Sequence, residues 1–267
     1  MTAYRHLTSA EYPALNGLWH RCFGDTEQEI TAFWRAVGDQ VRVFAAWDGG
    51  KAVSMLCALS AGLVDEAGDL LPAAYLYAVC TAPERRNQGL AAKLTAYAEA
   101  ALLRQGVAVT ALVPANTDLF RFYEKLGYET VFYHKEYTIP AKAGSVKLTK
   151  IDADAYRSLR EMQLYGSFLS YDTPLLHLQE VMSGGTGLYR AETDSLVCCA
   201  AAQKEGALLH IKELLPDCPE AASALAAALH CQSAVVRTEG SGTPFGMAKA
   251  LSGICLPKTA YLGLAFD

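Results

Sequence analysis

The stretch Thr81-Ala82-Pro83-Glu84-Arg85-Arg86-Asn87-Gln88-Gly89-Leu90-Ala91 has the make-up of an anion cradle. It follows an apolar, strand-like run and precedes a helical pattern, so its backbone N–H groups fall at a helix N-terminus. Those groups lack intrahelical acceptors and carry the positive end of the helix dipole, which suits a pyrophosphate. Gly89 lets the backbone approach a phosphate closely, Ala91 keeps the next turn small, and Arg85 or Arg86 can add charge-assisted hydrogen bonds. A second chemical group is Tyr123, on the apolar side of a short helical segment with Leu119, Phe122 and Leu126. A tyrosine on such a face often packs as core with its hydroxyl satisfied. Asn116, at the start of that segment, is suited to capping the helix.

Other chemistries find little support. The eight cysteines, at 22, 57, 80, 198, 199, 218, 231 and 255, show no paired CxxC spacing, and the six histidines are scattered, so no metal is expected. The cysteines read as small buried hydrophobes in a reducing compartment. Lys plus Arg total 23 against 28 Asp plus Glu, a net charge of −5 with no long basic block, which argues against nucleic acid as a partner. No signal-peptide pattern and no apolar run of membrane-spanning length is visible, and the expected location is cytoplasmic. Asp25, Glu27 and Glu29 read as solvated helix-end charges and are not assigned as a catalytic base.

The elements that must position these residues follow from periodicity and turn chemistry. A strand near Tyr4–Leu7 precedes a helix from Ser9 to about Cys22 and another from Thr26 to Ala36. Val41–Trp47 and Ala52–Ala61 read as strands joined at Asp48-Gly49-Gly50, and Leu70–Thr81 as a third. From Gly89 the period becomes helical to about Gly106, with Leu90, Leu94, Tyr97 and Ala101 on one face and Glu99 elsewhere. Val107–Val113 is a strand, the Tyr123 helix ends at Gly127, and Tyr128–Ile139 is a further strand. The order is β-α-α-β-β-β-α-β-α-β.

Arg86-Asn87-Gln88-Gly89-Leu90-Ala91 resembles the R/Q-x-x-G-x-G/A acetyl-CoA signature of the GNAT acetyltransferases. Leu119-Phe120-Arg121-Phe122-Tyr123-Glu124-Lys125-Leu126-Gly127-Tyr128 resembles that family's later F-Y-x-x-x-G-F/Y motif. With the element order, the resemblance covers about residues 4 to 139. It implies an α/β (α+β) GNAT fold, a mixed, mostly antiparallel sheet flanked by helices, with acetyl-CoA as acyl donor. By the same resemblance, Val79, Cys80 and Thr81 would pair with the pantetheine arm, Arg86 through Ala91 would hold the pyrophosphate, and Asn116 would bond the pantetheine or fix Tyr123. A free N–H on the strand would stabilise the oxyanion as a primary amine attacks, and Tyr123 would protonate the departing thiolate. The acceptor, small molecule or protein, stays open, as does the acyl chain length. The rival reading is a non-catalytic acyl-CoA sensor or interaction protein. Strand edges are compatible with a homo-oligomer.

Pro140-Ala141-Lys142-Ala143-Gly144 reads as a boundary, giving domains 1–140 and 145–267. The second half repeats the plan: helices Asp152–Leu169 and Pro174–Met182, strands Gly187–Ala191, Ser195–Lys204 and Ala207–Leu214, helix Pro219–His230, and strands near Ala234–Arg237 and Tyr261–Phe266. At the place matching the phosphate loop it reads Leu214-Leu215-Pro216-Asp217-Cys218-Pro219-Glu220-Ala221, with no glycine and no arginine. The expectation is a degenerate GNAT-like domain without chemistry. An intact domain followed by a degenerate copy resembles the first two domains of the enhanced intracellular survival (Eis) type of acetyltransferase. That type adds a third, sterol-carrier-like domain, which the sequence does not contain before Asp267, and the general base stays open with it.

Overall fold

The computed structural model describes residues 2–182 and 187–266. The chain divides into two compact units, residues 1–63, 70–129 and 247–256 in the first, and 64–69, 130–246 and 257–267 in the second. The change of unit falls between Glu129 and Thr130, and residues 247–256 return to the first unit.

In the first unit, β1 (Ala3–Leu7) pairs antiparallel with β2 (Val41–Asp48), and β2 with β3 (Lys51–Val64). Gly49 and Gly50 both adopt positive φ, 57° and 77°, as the primed turn between β2 and β3 requires. Between β1 and β2 lie α1 (Asn16–Phe23) and α2 (Glu27–Val37). The single helix expected from Ser9 is divided: Ser9–Leu15 is a 3₁₀ helix containing Pro13, which has no N–H to continue an α-helical ladder. Thr26 and Glu29 form a reciprocal capping box at the start of α2.

β4 (Leu70–Thr81) pairs in parallel with β5 (Val109–Leu112), and Met247–Ala250 pairs antiparallel with β5. α3 (Leu90–Arg104) lies between β4 and β5 in sequence, and α4 (Thr117–Glu124) follows β5. Leu90, Leu94, Ala98 and Leu102, four residues apart, form the buried stripe of α3; the last three pack with Leu56, Ala74 and Leu76. Glu99 departs from the expected pattern: it is buried, accepts a hydrogen bond from the Tyr128 hydroxyl at 2.8 Å, and pairs with Lys249 at 2.6 Å. Tyr128 in turn bonds Thr110 at 3.0 Å. A carboxylate at that depth is tolerated because it is both paired and hydrogen-bonded.

β6 (Glu129–Pro140) is assigned almost wholly to the second unit, which continues with β7 (Lys147–Lys150), α5 (Ala153–Gln163), β8 (Phe168–Ser170), α6 (Thr173–Met182), β9 (Gly187–Glu192), β10 (Val197–Glu205), β11 (Leu208–Leu215), α7 (Pro219–Ala228), β12 (Ser233–Ala250, to Gly246 in this unit) and β13 (Ala260–Tyr261). β7, β9, β10 and β11 pair antiparallel in that order, and β11 pairs in parallel with β12. Apart from the short β8 between α5 and α6, the order β7-α5-α6-β9-β10-β11-α7-β12 repeats β1-α1-α2-β2-β3-β4-α3-β5, with the parallel pair in the corresponding place. The short side chains of Ala221, Ala222 and Ala226 let α7 pack with Ala200, Ala202, Ile211 and Val236.

Three expected elements differ. The helix from Asp152 stops at Gln163, and residues 168–170 are strand β8. β12 extends far past Arg237, and the strand expected over Tyr261–Phe266 is only the two residues of β13. Among the described residues no helix is long and apolar enough to cross a membrane.

Candidate active site

β4 delivers the chain to the loop. Its parallel pairing with β5 runs from Ala73 opposite Val109 to Tyr75 opposite Ala111, while β4 itself continues to Thr81. Ala78 takes φ of 50°, which L-residues rarely adopt, and this interrupts the regular pleat just before Val79, Cys80 and Thr81. The buried Ser54 hydroxyl fixes that end of the strand, donating to the Cys80 carbonyl at 2.7 Å and lying 2.9 Å from Thr81 Oγ1. The structure therefore brings Val79, Cys80 and Thr81 directly to the foot of the loop.

Asn87 and Gly89 adopt positive φ, 61° and 71°, and Gly89 is the N-cap of α3 with no side chain closing the helix end. Among the described residues, the backbone N–H groups of Asn87, Gln88, Gly89, Leu90, Ala91 and Ala92 have no acceptor. Six consecutive unmatched donors thus stand at the positive end of a 15-residue helix, an arrangement able to accept an anion. Nothing lies within 4 Å of where a Gly89 Cβ would stand, so the space beside the loop is open.

The two arginines differ in role. Arg85 donates to Asp48 Oδ2 at 2.7 Å and to Gln88 Oε1 at 3.0 Å, bracing the loop against the β2–β3 turn and holding the Asp48 carboxyl below its ordinary value. Arg86 is exposed, and its Nε reaches the Thr81 carbonyl at 3.4 Å. Its guanidinium is the more exposed of the two, and the Gln88 side chain is committed to Arg85.

Tyr123 lies on the inner face of α4, 6% exposed, in the core shared with Leu94 and Leu76. Its ring meets Phe122 and Tyr128 edge-on, with centroids 5.0 and 5.4 Å away. The hydroxyl has no hydrogen-bond partner among the described residues, and burial pushes its pKa well above the usual phenol value. Asn116 caps α4, its Oδ1 accepting from Leu119 N at 3.1 Å. That settles its oxygen as a helix cap and leaves its amide N–H groups without a described partner.

Of the acidic residues near α2, Asp25 and Glu29 are engaged in structure. Asp25 Oδ2 accepts from Trp19 Nε1 at 2.6 Å, and the Glu29 carboxylate bonds Thr26. Sequence reasoning passed over Ser54 and the Glu99–Lys249 pair. The four-residue period of α3 could have placed Glu99 beside the buried stripe, but nothing local announces its partner. No group of three or more His, Cys, Asp or Glu among the described residues could hold a metal ion. In the second unit, the loop before α7 is closed by its own carboxylate: Asp217 bonds Lys135 Nζ at 2.6 Å and the Tyr137 hydroxyl at 2.7 Å.

Comparison with known proteins agrees with this geometry. Residues 3–131 match the family model described as an acetyltransferase (GNAT) domain. No curated protein matches the chain in sequence. Among solved structures, a GCN5-related N-acetyltransferase from Anabaena variabilis ATCC 29413 superposes with a TM-score of 0.72 at 16% identity, over 94% of this chain and 73% of that one. Eis1 from Mycobacterium abscessus gives 0.67 at 13%, over 93% and 74%. A tandem GNAT protein from the clavulanic acid biosynthesis pathway gives 0.60 at 10%, over 96% and 100%. At these identities the likeness is one of fold, and it extends through both units. Residues 3–131 thus match a GNAT acetyltransferase domain, a family whose members transfer acyl groups from acyl-CoA, and both units share the fold of solved GNAT proteins.

Proposed function

We propose that the first unit transfers an acetyl group from acetyl-CoA to a primary amine, on a small molecule or on a protein. The observation that carries this reading is the run of six unmatched backbone N–H groups from Asn87 to Ala92, flanked by the exposed Arg86. These residues fit a pyrophosphate: amide donors and a guanidinium meet its charge, and the open space at Gly89 admits its oxygens. Val79, Cys80 and Thr81, past the last β5 pair, offer strand backbone to the amide groups of a pantetheine arm.

Within this reading, a strand N–H after the Ala78 irregularity polarises the thioester carbonyl as the amine attacks. Tyr123 gives its proton to the departing thiolate sulfur; the raised pKa keeps the phenol protonated over the physiological range. The amine must reach the carbonyl unprotonated, and the engagement of Asp25 and Glu29 elsewhere supports neither as its base. In the second unit, the tied Asp217 and the neighbouring Glu220 place negative charge at the counterpart of the phosphate loop, which supports a structural, non-catalytic role for that unit.

Calorimetric titration of acetyl-CoA into the wild-type chain and into an Arg86→Ala/Gly89→Glu variant tests the assignment. One charge-assisted hydrogen bond is worth about 1.5–3 kcal/mol, or roughly 10- to 150-fold in affinity, and an added carboxylate adds repulsion. Binding that the variant loses supports the reading; wild type that binds no acetyl-CoA refutes it.

A further inference from the structure

The second unit contains a cavity of about 180 Å³ that acyl transfer by the first unit does not use. β8, β13, β6 and β12 lie side by side in that order, and the cavity is walled by residues of β6 and β12 and by the segments leading into β8 and β13. The Tyr261 N–H donates to the Ser167 carbonyl at 2.8 Å and ties two of these walls together. Gly240 keeps β12 close to β6, where a Cβ would stand 2.7 Å from that of Lys135. Sheet backbone therefore sets the shape of the site.

The lining carries charge of one sign. Glu239 contributes a carboxylate, and no Lys, Arg or His lines the cavity among the described residues. Glu239 is exposed, so a solute can reach it, and it makes no hydrogen bond or ion pair among the described residues. Cations on the same strands are held elsewhere: Lys135 Nζ bonds Asp217 at 2.6 Å, and Arg237 donates to the Gly263 carbonyl at 3.0 Å with its guanidinium over the Phe245 ring. In agreement, crowding by the surrounding protein raises the Glu239 carboxyl above its ordinary value and no cation pulls it down. Ser167 is 7% exposed, and its Oγ has no hydrogen-bond partner among the described residues. A buried hydroxyl left in that state is uncommon in folded proteins, and a ligand that bonds it removes the deficit. Ser241 and Thr259 add further hydroxyls, and Tyr133 and Tyr165 add aromatic rings, that of Tyr165 being 76% exposed.

These groups select among ligands. An anion meets an uncompensated carboxylate, and a neutral apolar molecule leaves Glu239 and Ser167 unmet. A hard metal ion takes about six or more oxygen ligands, and no group of three or more His, Cys, Asp or Glu among the described residues could hold one. A cation with N–H donors on an alkyl stem satisfies carboxylate, hydroxyl and aromatic ring together. We propose that this cavity binds a primary alkylammonium ion, with Glu239 meeting its charge, Ser167 accepting one of its N–H hydrogens and Tyr165 covering its alkyl carbons. Binding here is a property of the second unit and does not rest on the acyl-CoA reading of the first.

The test titrates butylammonium chloride into the isotopically labelled full chain at constant ionic strength and follows assigned backbone amide resonances, with 1-butanol and sodium butyrate as probes of matching length. The expected result is saturable shifts at residues 239–241 and 259–261 with butylammonium and none with butanol or butyrate. Glu239→Gln should weaken binding roughly 10- to 150-fold, the loss of one charge-assisted hydrogen bond, and Tyr165→Ala about two- to fivefold. Both positions are exposed, so either variant keeps the comparison available should Ser167→Ala fail to fold. Absence of saturable shifts, shifts confined to the first unit, equal affinity in Glu239→Gln, or equal binding of butanol would each overturn the proposal. A chain that binds butylammonium at these residues and binds no acetyl-CoA would refute the acyl-CoA reading and leave this site standing.

Discussion

Replacing Tyr123 with Phe separates a proton donor from a packing residue because the two roles predict different pairs of numbers. The hydroxyl has no described hydrogen-bond partner, and the ring's edge-on contacts with Phe122 and Tyr128 persist in phenylalanine. Removing it sacrifices no net hydrogen bond, which would otherwise be worth about 1 kcal/mol. The urea midpoint should therefore stay within about 0.5 kcal/mol of wild type, the range of substitutions that disturb no packed or bonded group. Turnover should respond very differently. General acid catalysis contributes about 10²- to 10⁴-fold, so kcat should fall by at least about 100-fold, equal to some 2.7 kcal/mol in the barrier, with acetyl-CoA affinity unchanged. The assay is thiol release from acetyl-CoA with an amine panel, alongside calorimetric affinity and urea unfolding of the same preparations. A variant turning over within about threefold of wild type, with intact affinity, would refute the acid role and leave Tyr123 as core. A stability loss above about 1 kcal/mol would show that the hydroxyl was bonded after all.

Two further predictions concern buried charge and titration. Arg160 and Glu213 of the second unit are 2% and 0% exposed and paired at 2.8 Å, with the Tyr156 hydroxyl donating to the same carboxylate at 2.7 Å; Arg160→Met should cost about 3–5 kcal/mol in urea unfolding, much of which Arg160→Met/Glu213→Leu should recover, and a single-variant loss below about 1 kcal/mol would contradict that burial. Cys22 alkylation by iodoacetamide should rise with pH through a midpoint near 7; Cys80→Ala, and to a lesser degree Arg86→Ala, should move it up toward the ordinary thiol value of about 8.5, and an unmoved midpoint would show that neither group acts on the thiol. Because the folded value is depressed, the stability that the thiolate contributes is complete above about pH 8.5 and is lost as pH falls through about 7.

The sequence by itself determined the features whose causes are local. Gly49 and Gly50 specify a turn because only positive φ closes it, and Gly89 after two arginines specifies an open helix N-terminus because no side chain there can cap it. Asn116 and the apolar spacing of Leu119, Phe122 and Tyr123 likewise write α4 into adjacent residues. Where neighbours in sequence compete with distant partners, the pattern misleads: Pro13 divides the first helix, and Phe168–Ser170 leaves a helical-looking run to pair with β13. Tertiary structure alone decided that Glu99 faces inward, since its partner Lys249 lies 150 residues away on a segment returning to the first unit. It also decided that Cys22 lies against the Thr81 carbonyl, and that Arg85 braces the loop while Arg86 stays exposed. Those choices depend on which charges and thiols the folded chain brings within a few ångströms, and Coulomb and hydrogen-bond energies at that range are fixed by distance and burial rather than by order along the chain.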